Sequence, residues 1–334
     1  MSYLLKKCFI MIIGYVQYDY EKLPNINYLD RVIYAFAEPY VVNNKIIKLG
    51  LEGDEEKLLN ILKLKELKPE LKISLCINNV IRNKDNKIDG GFSAIASTHG
   101  NRIKFANMCL ELVEKYNLDG IDIDWEFPTV PWRGNKCSIM DKQNFTLLLR
   151  DTRLVLGDKY SLSYCSHCMI DKFCNAYDSI EYVDFMNVMC YDMSYGEIGR
   201  PHNAIKYNSC YWDIGRTIKK LEVNNIPFDK VNIGIPFYGR NNFSGQKHSD
   251  LYYWKIQEMI RNNPDKYKVK YIDSIPYLIE NEKIICSYDD SVSIEAKIKY
   301  LKENGINGVM FWECNGDDDK STLQQAIYRF SKQQ

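Results

Sequence analysis

Short apolar, β-branched runs alternate with amphipathic segments along nearly the whole chain. The runs are "MIIGYV" (Met11 to Val16), "RVIYAFA" (Arg31 to Ala37), "LKISLCI" (Leu71 to Ile77), "GIDIDWE" (Gly120 to Glu126), "YSLSYCSH" (Tyr160 to His167), "FMNVMCY" (Phe185 to Tyr191), "VNIGIPFY" (Val231 to Tyr238) and "GVMFWE" (Gly308 to Glu313). Each has the length and composition of a buried strand. Between them, in "EEKLLNILKLKEL", "RIKFANMCLELVEKY", "QNFTLLLRDTRLVL", "GRTIKKLEV" and "SIEAKIKYLKEN", apolar residues recur at three and four, the spacing of helices with one face on a core. Asp54 and Asp141 precede two of these helices as candidate N-caps, and Gly305 follows the last as a stop.

Strands alternating with helices imply a parallel sheet joined by right-handed crossovers, and eight of them at this chain length predict an α/β fold of the closed (β/α)8 TIM barrel type. An open doubly wound sheet is the alternative, weakened because no GxGxxG or GxxxxGK[ST] follows any run. The rhythm breaks once. Roughly 70 residues separate "VNIGIPFY" from "GVMFWE", far more than one crossover needs, and a structureless loop of that length is unusual. Its helix-like "YYWKIQEMI" and strand-like "YKVKYIDSIPYLIE" and "KIICSYDD" predict a small α+β insertion between strands seven and eight. The barrel is expected at 8–239 and 287–332, with the insertion domain at 240–286.

Composition narrows the function more than the fold. With 334 residues, 46% hydrophobic and 26% charged, the chain can bury a large core. Lysine plus arginine equals aspartate plus glutamate at 44 each, so no global field argues for nucleic acid or an anionic membrane. No apolar run approaches the roughly 20 residues that span a bilayer. The opening "MSYLLKKCFIMIIGYV" superficially resembles a signal peptide, but no small-residue cleavage site follows and "MIIGYV" reads as the first core strand. Eleven scattered cysteines read as buried free thiols, which favours a reducing compartment without identifying it. "YCSHCMIDKFC" holds Cys165, His167, Cys168 and Cys174, yet no second CxxC exists and on an extended segment Cys165 and Cys168 point to opposite faces. Core packing is the expectation there.

The chemistry concentrates in "LDGIDIDWEFP". On a strand, Asp122, Asp124 and Glu126 share one face, while Ile121, Ile123 and Trp125 share the other. Carboxylates about 6.6 Å apart repel in a low-dielectric site, so the set is expected to titrate as a coupled group that retains a proton near neutral pH. A carboxylic acid kept protonated is what a general acid requires, and barrel catalytic groups sit at the C-terminal ends of strands, where Glu126 falls. Asp119, of the other parity, is expected to be structural. A calcium loop fails, with Phe127 and Arg133 where an EF-hand needs glycine and glutamate, whereas a magnesium site built from the aspartates stays open.

The stretch "DGIDIDWEFP" resembles the DxxDxDxE signature of glycoside hydrolase family 18, the chitinase family, with Asp119, Asp122, Asp124 and Glu126 in place. "VIYAFA", "FSAIASTHGNRIKFA", "MCYDM", "HNA" at His202 to Ala204, "GIPFYGR" and "SYDDSVSIEAKIKYLKENGINGVMFWE" are similar to family blocks in family order, from about residue 10 to residue 330. The resemblance implies a substrate-assisted mechanism. Glu126 protonates the glycosidic oxygen, the substrate's 2-acetamido oxygen attacks the anomeric carbon, and water deprotonated by Glu126 opens the oxazolinium ion with retention. It implies that Asp124 orients the acetamido group, that Asp122 tunes Asp124, that Tyr191 is a further catalytic residue contacting the acetamido group, and that Asp192, Met189, Trp312, Tyr238, Arg240 and Phe36 bind the sugar. Trp312 would be its hydrophobic floor, with Trp132 and Trp254 as weaker candidates for aromatic subsites. Where the family's third strand ends in SxGG, this chain has Cys76, Asn78 and Asn79, which puts substrate length and specificity in doubt.

The expected partner is chitin or another N-acetylglucosamine-containing glycan. Nucleic acid, membrane, cofactor and metal are not expected, and the chain is expected to be a monomer. A glycan-binding lectin on the same barrel is the reading from a different class, disfavoured by an intact Glu126. An endo-β-N-acetylglucosaminidase or peptidoglycan-type glycosidase shares the mechanism.

Overall fold

A computed structural model describes residues 10–78, 91–131, 136–194, 200–208, 212–240 and 250–332. Each apolar run becomes a strand: β1 (Met11–Gln17), β2 (Arg31–Val42), then after β3 (Lys45–Leu51), β4 (Lys72–Asn78), β5 (Gly120–Asp124), β6 (Ser161–His167), β7 (Phe185–Met189), β8 (Val231–Pro236) and, last in the chain, β14 (Gly308–Trp312). The parallel order β1-β14-β8-β7-β6-β5-β4-β2 closes because β1 also pairs with β2. This is the (β/α)8 barrel expected from the alternation.

Strand parity divides the core in two. Ile12, Ile121, Ile123, Val188 and Ile233 face outward into the layer beneath the helices, where Trp125 stacks on Phe92 and meets Phe145 edge-on. Ile13, Tyr15, Ile33, Ala35, Cys76, Cys165, Phe185 and Met310 face inward and fill the barrel. At the N-terminal end Arg31 donates to Ser74 and Ser161 and lies over the Phe185 ring. Asp119, also at that end, accepts from the Ile73 N–H at 2.8 Å and pairs with Lys65 at 2.7 Å, a strand-tying role far from the mouth.

Three local expectations change. Strand β2 runs past Ala37 to Val42 and folds back on β3 through Asn43 and Asn44, both at positive φ (50° and 57°). Two asparagines between β-branched runs are the signal of such a hairpin. Asp141 is the first residue of the helix Asp141–Leu156 and not its cap; its carboxylate accepts from the Ser138 N–H and the Ser93 hydroxyl at 2.7 and 2.8 Å. Asp54 holds the N-cap position of Glu55–Leu62, and Gly305, at φ 76°, follows the C-cap Asn304 of Ser291–Glu303. Tyr238 does not end the seventh barrel strand: pairing of β8 with β14 stops at Pro236, with the Phe237 N–H on the Trp312 carbonyl at 2.7 Å as its last bond, and the chain then leaves the barrel.

Between β8 and β14 lie β9 (Tyr238–Arg240), β10 (Asp250–Tyr252), the helix Tyr253–Asn262, β11 (Tyr267–Ile272), β12 (Ile275–Glu280) and β13 (Lys283–Ser287). The strands form an antiparallel sheet in the order β10-β9-β13-β12-β11. Glu313 joins it to the barrel: the buried carboxylate accepts from the Tyr252 hydroxyl at 2.6 Å and the Gln17 N–H at 3.0 Å. Among the described residues, no helix is long and apolar enough to cross a membrane. The described cysteines are free and, apart from Cys137, buried; Cys168 sits in the outer layer and Cys165 inside the barrel.

Candidate active site

The acidic strand sits as its alternation demands, with Asp122 and Asp124 buried on the inner face of β5. The strand ends at Asp124, two residues before the expected end, so Glu126 lies just beyond it, half-buried at the C-terminal mouth. The alternation outlives the ladder: Trp125 still faces the outer layer.

Asp122 is the most elaborately held group. Its Oδ2 accepts from the Tyr15 hydroxyl at 2.8 Å and faces the Cys165 thiol at 3.4 Å, while Oδ1 accepts from Ser163 at 2.6 Å and Asn187 Nδ2 at 3.3 Å. Asn187 also donates to the Tyr15 oxygen at 2.8 Å and accepts from Asn232 Nδ2 at 2.9 Å. A carboxylate ringed by donors is oriented without needing solvent, and each donor comes from a different part of the barrel wall. Sequence reasoning missed Tyr15, Ser163, Asn187 and Asn232. The available signal was polar residues inside otherwise apolar strands, at the parity that turns inward.

Tyr191, two residues past β7, borders the carboxylates. Burial pushes its phenol well above the ordinary range, and the negative charges of Asp124, Glu126 and Asp192 push the same way, with Cys165 adding to them. Room for its ring comes from Gly234, where an added Cβ would stand 2.7 Å from the Tyr191 ring and 2.8 Å from the Val188 carbonyl oxygen.

Asp192, at φ 58°, turns toward the second sheet. Its carboxylate pairs with Arg240 at 2.7 Å, accepts from the Tyr238 hydroxyl at 2.9 Å and lies 3.3 Å from His202 Nδ1. Burial raises its pKa, but hydrogen bonding to His202 and the Arg240 charge outweigh that and hold it below the usual carboxylate value. Arg240 also lies 5.7 Å from the Tyr238 ring centre, and Tyr238 meets Tyr191 edge-on. His202 is thus a partner of the site, not only a residue of "HNA".

Trp312 ends β14 over the barrel interior, stacked on Phe36 with ring centres 5.6 Å apart and tilted against Tyr15 at 5.7 Å. Half-buried Met189 packs against the same inner cluster. The expected site residues Glu126, Asp124, Asp122, Tyr191, Asp192, Met189, Trp312, Tyr238, Arg240 and Phe36 therefore stand around one end of one barrel. Trp254 lies on the helix Tyr253–Asn262 of the second sheet, 39% exposed, whereas Trp132 and Asn79 fall outside the described residues. Cys76 is fully buried inside the barrel, and Asn78 is half-buried at the end of β4.

The magnesium reading of the aspartates gains no geometric footing. Among the described residues, the acidic and sulfur ligands that converge within 4.8 Å of one another are Cys76, Asp124 and Cys165, and two sulfurs in three are the wrong donors for magnesium. What the mouth offers is the Glu126 carboxyl beyond a pair of inward aspartates, with Tyr191 beside them, and the aromatic stack of Trp312 on Phe36.

A family model described as glycosyl hydrolases family 18 matches residues 11–317. Chitinase A1 of Niallia circulans is 29% identical over 313 residues, covering 79% of this chain and 43% of that protein. Probable chitinase 2 of Drosophila melanogaster is 25% identical over 340 residues, covering 87% of this chain and 67% of that protein. The chain thus spans less than half of the first relative's length and two thirds of the second's. A family 18 N-acetylglucosaminidase structure from Paenibacillus barengoltzii superposes with a TM-score of 0.80 at 25% identity, covering 96% of this chain and 99% of that one. The Group IV chitinase of Ostrinia furnacalis shares the fold, with a TM-score of 0.82 at 17% identity over 97% of this chain and 100% of that one.

Proposed function

The chain belongs to glycosyl hydrolases family 18, and on that premise we propose that it is a retaining glycosidase that hydrolyses β-1,4-linked N-acetylglucosamine polymers or oligomers by substrate-assisted catalysis. The observation that supports this reading is the shared inward face of Asp122 and Asp124 on β5, with Glu126 half-buried just past the strand end and Tyr191 close enough to feel the charges of Asp124 and Glu126.

In this reading Glu126 protonates the leaving glycosidic oxygen. It stands past the strand end, half-buried, where a substrate can reach it. Asp124 accepts the acetamido N–H, which aims the acetamido oxygen at the anomeric carbon and offsets the positive charge of the oxazolinium intermediate. Asp122, fixed by its donors on the same inner face, stands one strand step from Asp124 and supports its placement. The Tyr191 hydroxyl, held protonated, donates to the acetamido oxygen. Trp312 supports the apolar face of the sugar in the reacting position, Phe36 and Met189 extend that floor, and Asp192 with Arg240 and Tyr238 contacts the polar edge on the leaving-group side.

The test is product analysis on chito-oligosaccharides of defined length, with the anomeric configuration followed by NMR. Initial release of the β-anomer, and no hydrolysis of glucosides that lack the 2-acetamido group, are the expected results. Release of the α-anomer, or rapid hydrolysis of a plain glucoside, would overturn the mechanism. The product lengths at early times separate endo from exo cleavage.

A further inference from the structure

Two of the three ligand-spaced groups in the barrel are thiols that the glycosidase chemistry does not use. Cys76 on β4 and Cys165 on β6 face inward across β5, and their sulfurs lie within 4.8 Å of each other. A disulfide is ruled out by topology. Strand β5 lies between them, with Cys76 level with Asp122 and Asp122 level with Ser163, so Cys165 is two strands across and two residues further along. Two strand spacings put the Cα atoms about 9 Å apart or more, beyond the roughly 7 Å that a disulfide bridges. Only the side chains converge, because barrel curvature aims them at a common point.

That point also holds a carboxylate. One ligand atom each from Cys76, Cys165 and Asp124 lies within 4.8 Å of the others. A tetrahedral zinc with sulfur at about 2.3 Å sets its sulfurs about 3.8 Å apart, so small side-chain shifts close the cluster around an ion. Fourth donors are at hand: Asp122 Oδ2 is 3.4 Å and the Tyr15 oxygen 3.3 Å from Cys165 Sγ. Cys165 and Asp124 each retain 8% exposure, which leaves an approach from the mouth, while Cys76 has none.

We propose that Cys76, Cys165 and Asp124 form a binding site for a thiophilic divalent cation of the zinc and cadmium type, and that its occupancy switches the active site off. On binding, two metal–sulfur bonds and one metal–oxygen bond form, and the two thiol protons leave to solvent. No electron transfer is involved. Binding does not depend on the glycosidase reading, whereas inhibition rests on it, because the cation takes the Asp124 carboxylate that the acetamido group would otherwise engage.

The experiment is a titration of the full chain with Cd²⁺, read by the thiolate-to-metal charge-transfer absorbance and by ¹¹³Cd NMR. The expected result is one bound equivalent with a resonance of mixed sulfur and oxygen coordination. Cys76→Ser and Cys165→Ser are each expected to lose that signal, and Cys137→Ser, which alters the exposed thiol, is expected to keep it. No such band in the wild type, or a band unchanged in both Cys76→Ser and Cys165→Ser, would overturn the site; should a serine variant fail to fold, the sulfur count from the wild-type ¹¹³Cd shift decides. The same Cd²⁺ is expected to lower chito-oligosaccharide turnover by roughly 10²-fold, reversed by EDTA, the scale lost when an active-site charge is withdrawn. Full activity with Cd²⁺ bound would overturn the switch and leave the site standing, and no activity in the metal-free wild type would point to the glycosidase reading instead.

Discussion

Tyr15 and Asp122, 107 positions apart, meet inside the barrel with hydroxyl and carboxylate 2.8 Å apart. The same tyrosine ring lies against Trp312, so one side chain links the acidic strand to the aromatic floor. Tyr15→Phe keeps the ring and deletes the donor. A hydrogen bond to a charged group is worth about 1.5–3 kcal/mol, and Asp122 keeps its other donors, so kcat is expected to fall roughly tenfold with KM changed by less than about twofold. Steady-state kinetics on a chito-oligosaccharide check this.

Gly234 is where the backbone makes room for Tyr191. A methyl group there would press on the Tyr191 ring, on Met310 and on the Val188 carbonyl, and the last cannot move without disturbing the sheet. Gly234→Ala is expected to destabilise the fold by about 1–3 kcal/mol and to lower kcat along with it. Urea unfolding and turnover of the same preparation test both halves.

The Asp192 cluster predicts a pH signature. Its carboxyl is held below the ordinary value of 3.8, so the stability it contributes is present above that value and lost as pH falls through the lower, folded one. The side chain is 35% exposed, so solvent screening limits the contribution to about 1 kcal/mol. Wild type is expected to exceed Asp192→Asn by that amount around neutral pH, with the gap shrinking below about pH 4. Chemical unfolding of both proteins at the two pH values measures it.

In the proposed function Trp312 is the floor beneath the sugar, and its ring packs against Phe36 and Tyr15. Trp312→Ala is expected to lose about 3 kcal/mol of stability and roughly 10²-fold in kcat/KM. Trp312→Phe, which retains a flat face, should recover most of the stability and part of the activity. Equal losses in the two variants would argue against a stacking role.

Much of this was legible in the chain because period-two alternation fixes sides. Ile121, Ile123 and Trp125 against Asp122, Asp124 and Glu126 already separated the helix-packing face from the barrel interior. Other features were hidden for physical reasons. The end of β5 at Asp124 depends on where neighbouring strands stop pairing, not on the residues of "GIDIDWE". The departure of Tyr238 into β9 goes with its antiparallel pairing to Tyr252 of β10, a partner that only the folded second sheet supplies. The donors on Asp122 come from β1, β6 and β7, and only closure of the barrel brings them to one carboxylate. Cys165 likewise belongs to the core by burial, as its segment suggests, yet its inward face places it beside Asp122.

The central claim is that Glu126 handles the proton. The most direct test is Glu126→Gln, an isosteric change that removes the acid, with turnover of a chito-oligosaccharide and its binding by calorimetry measured on the same protein. Turnover is expected to fall by roughly 10² to 10⁴ with affinity nearly unchanged, the loss of a missing general acid. Turnover equal to that of the wild type would contradict the account.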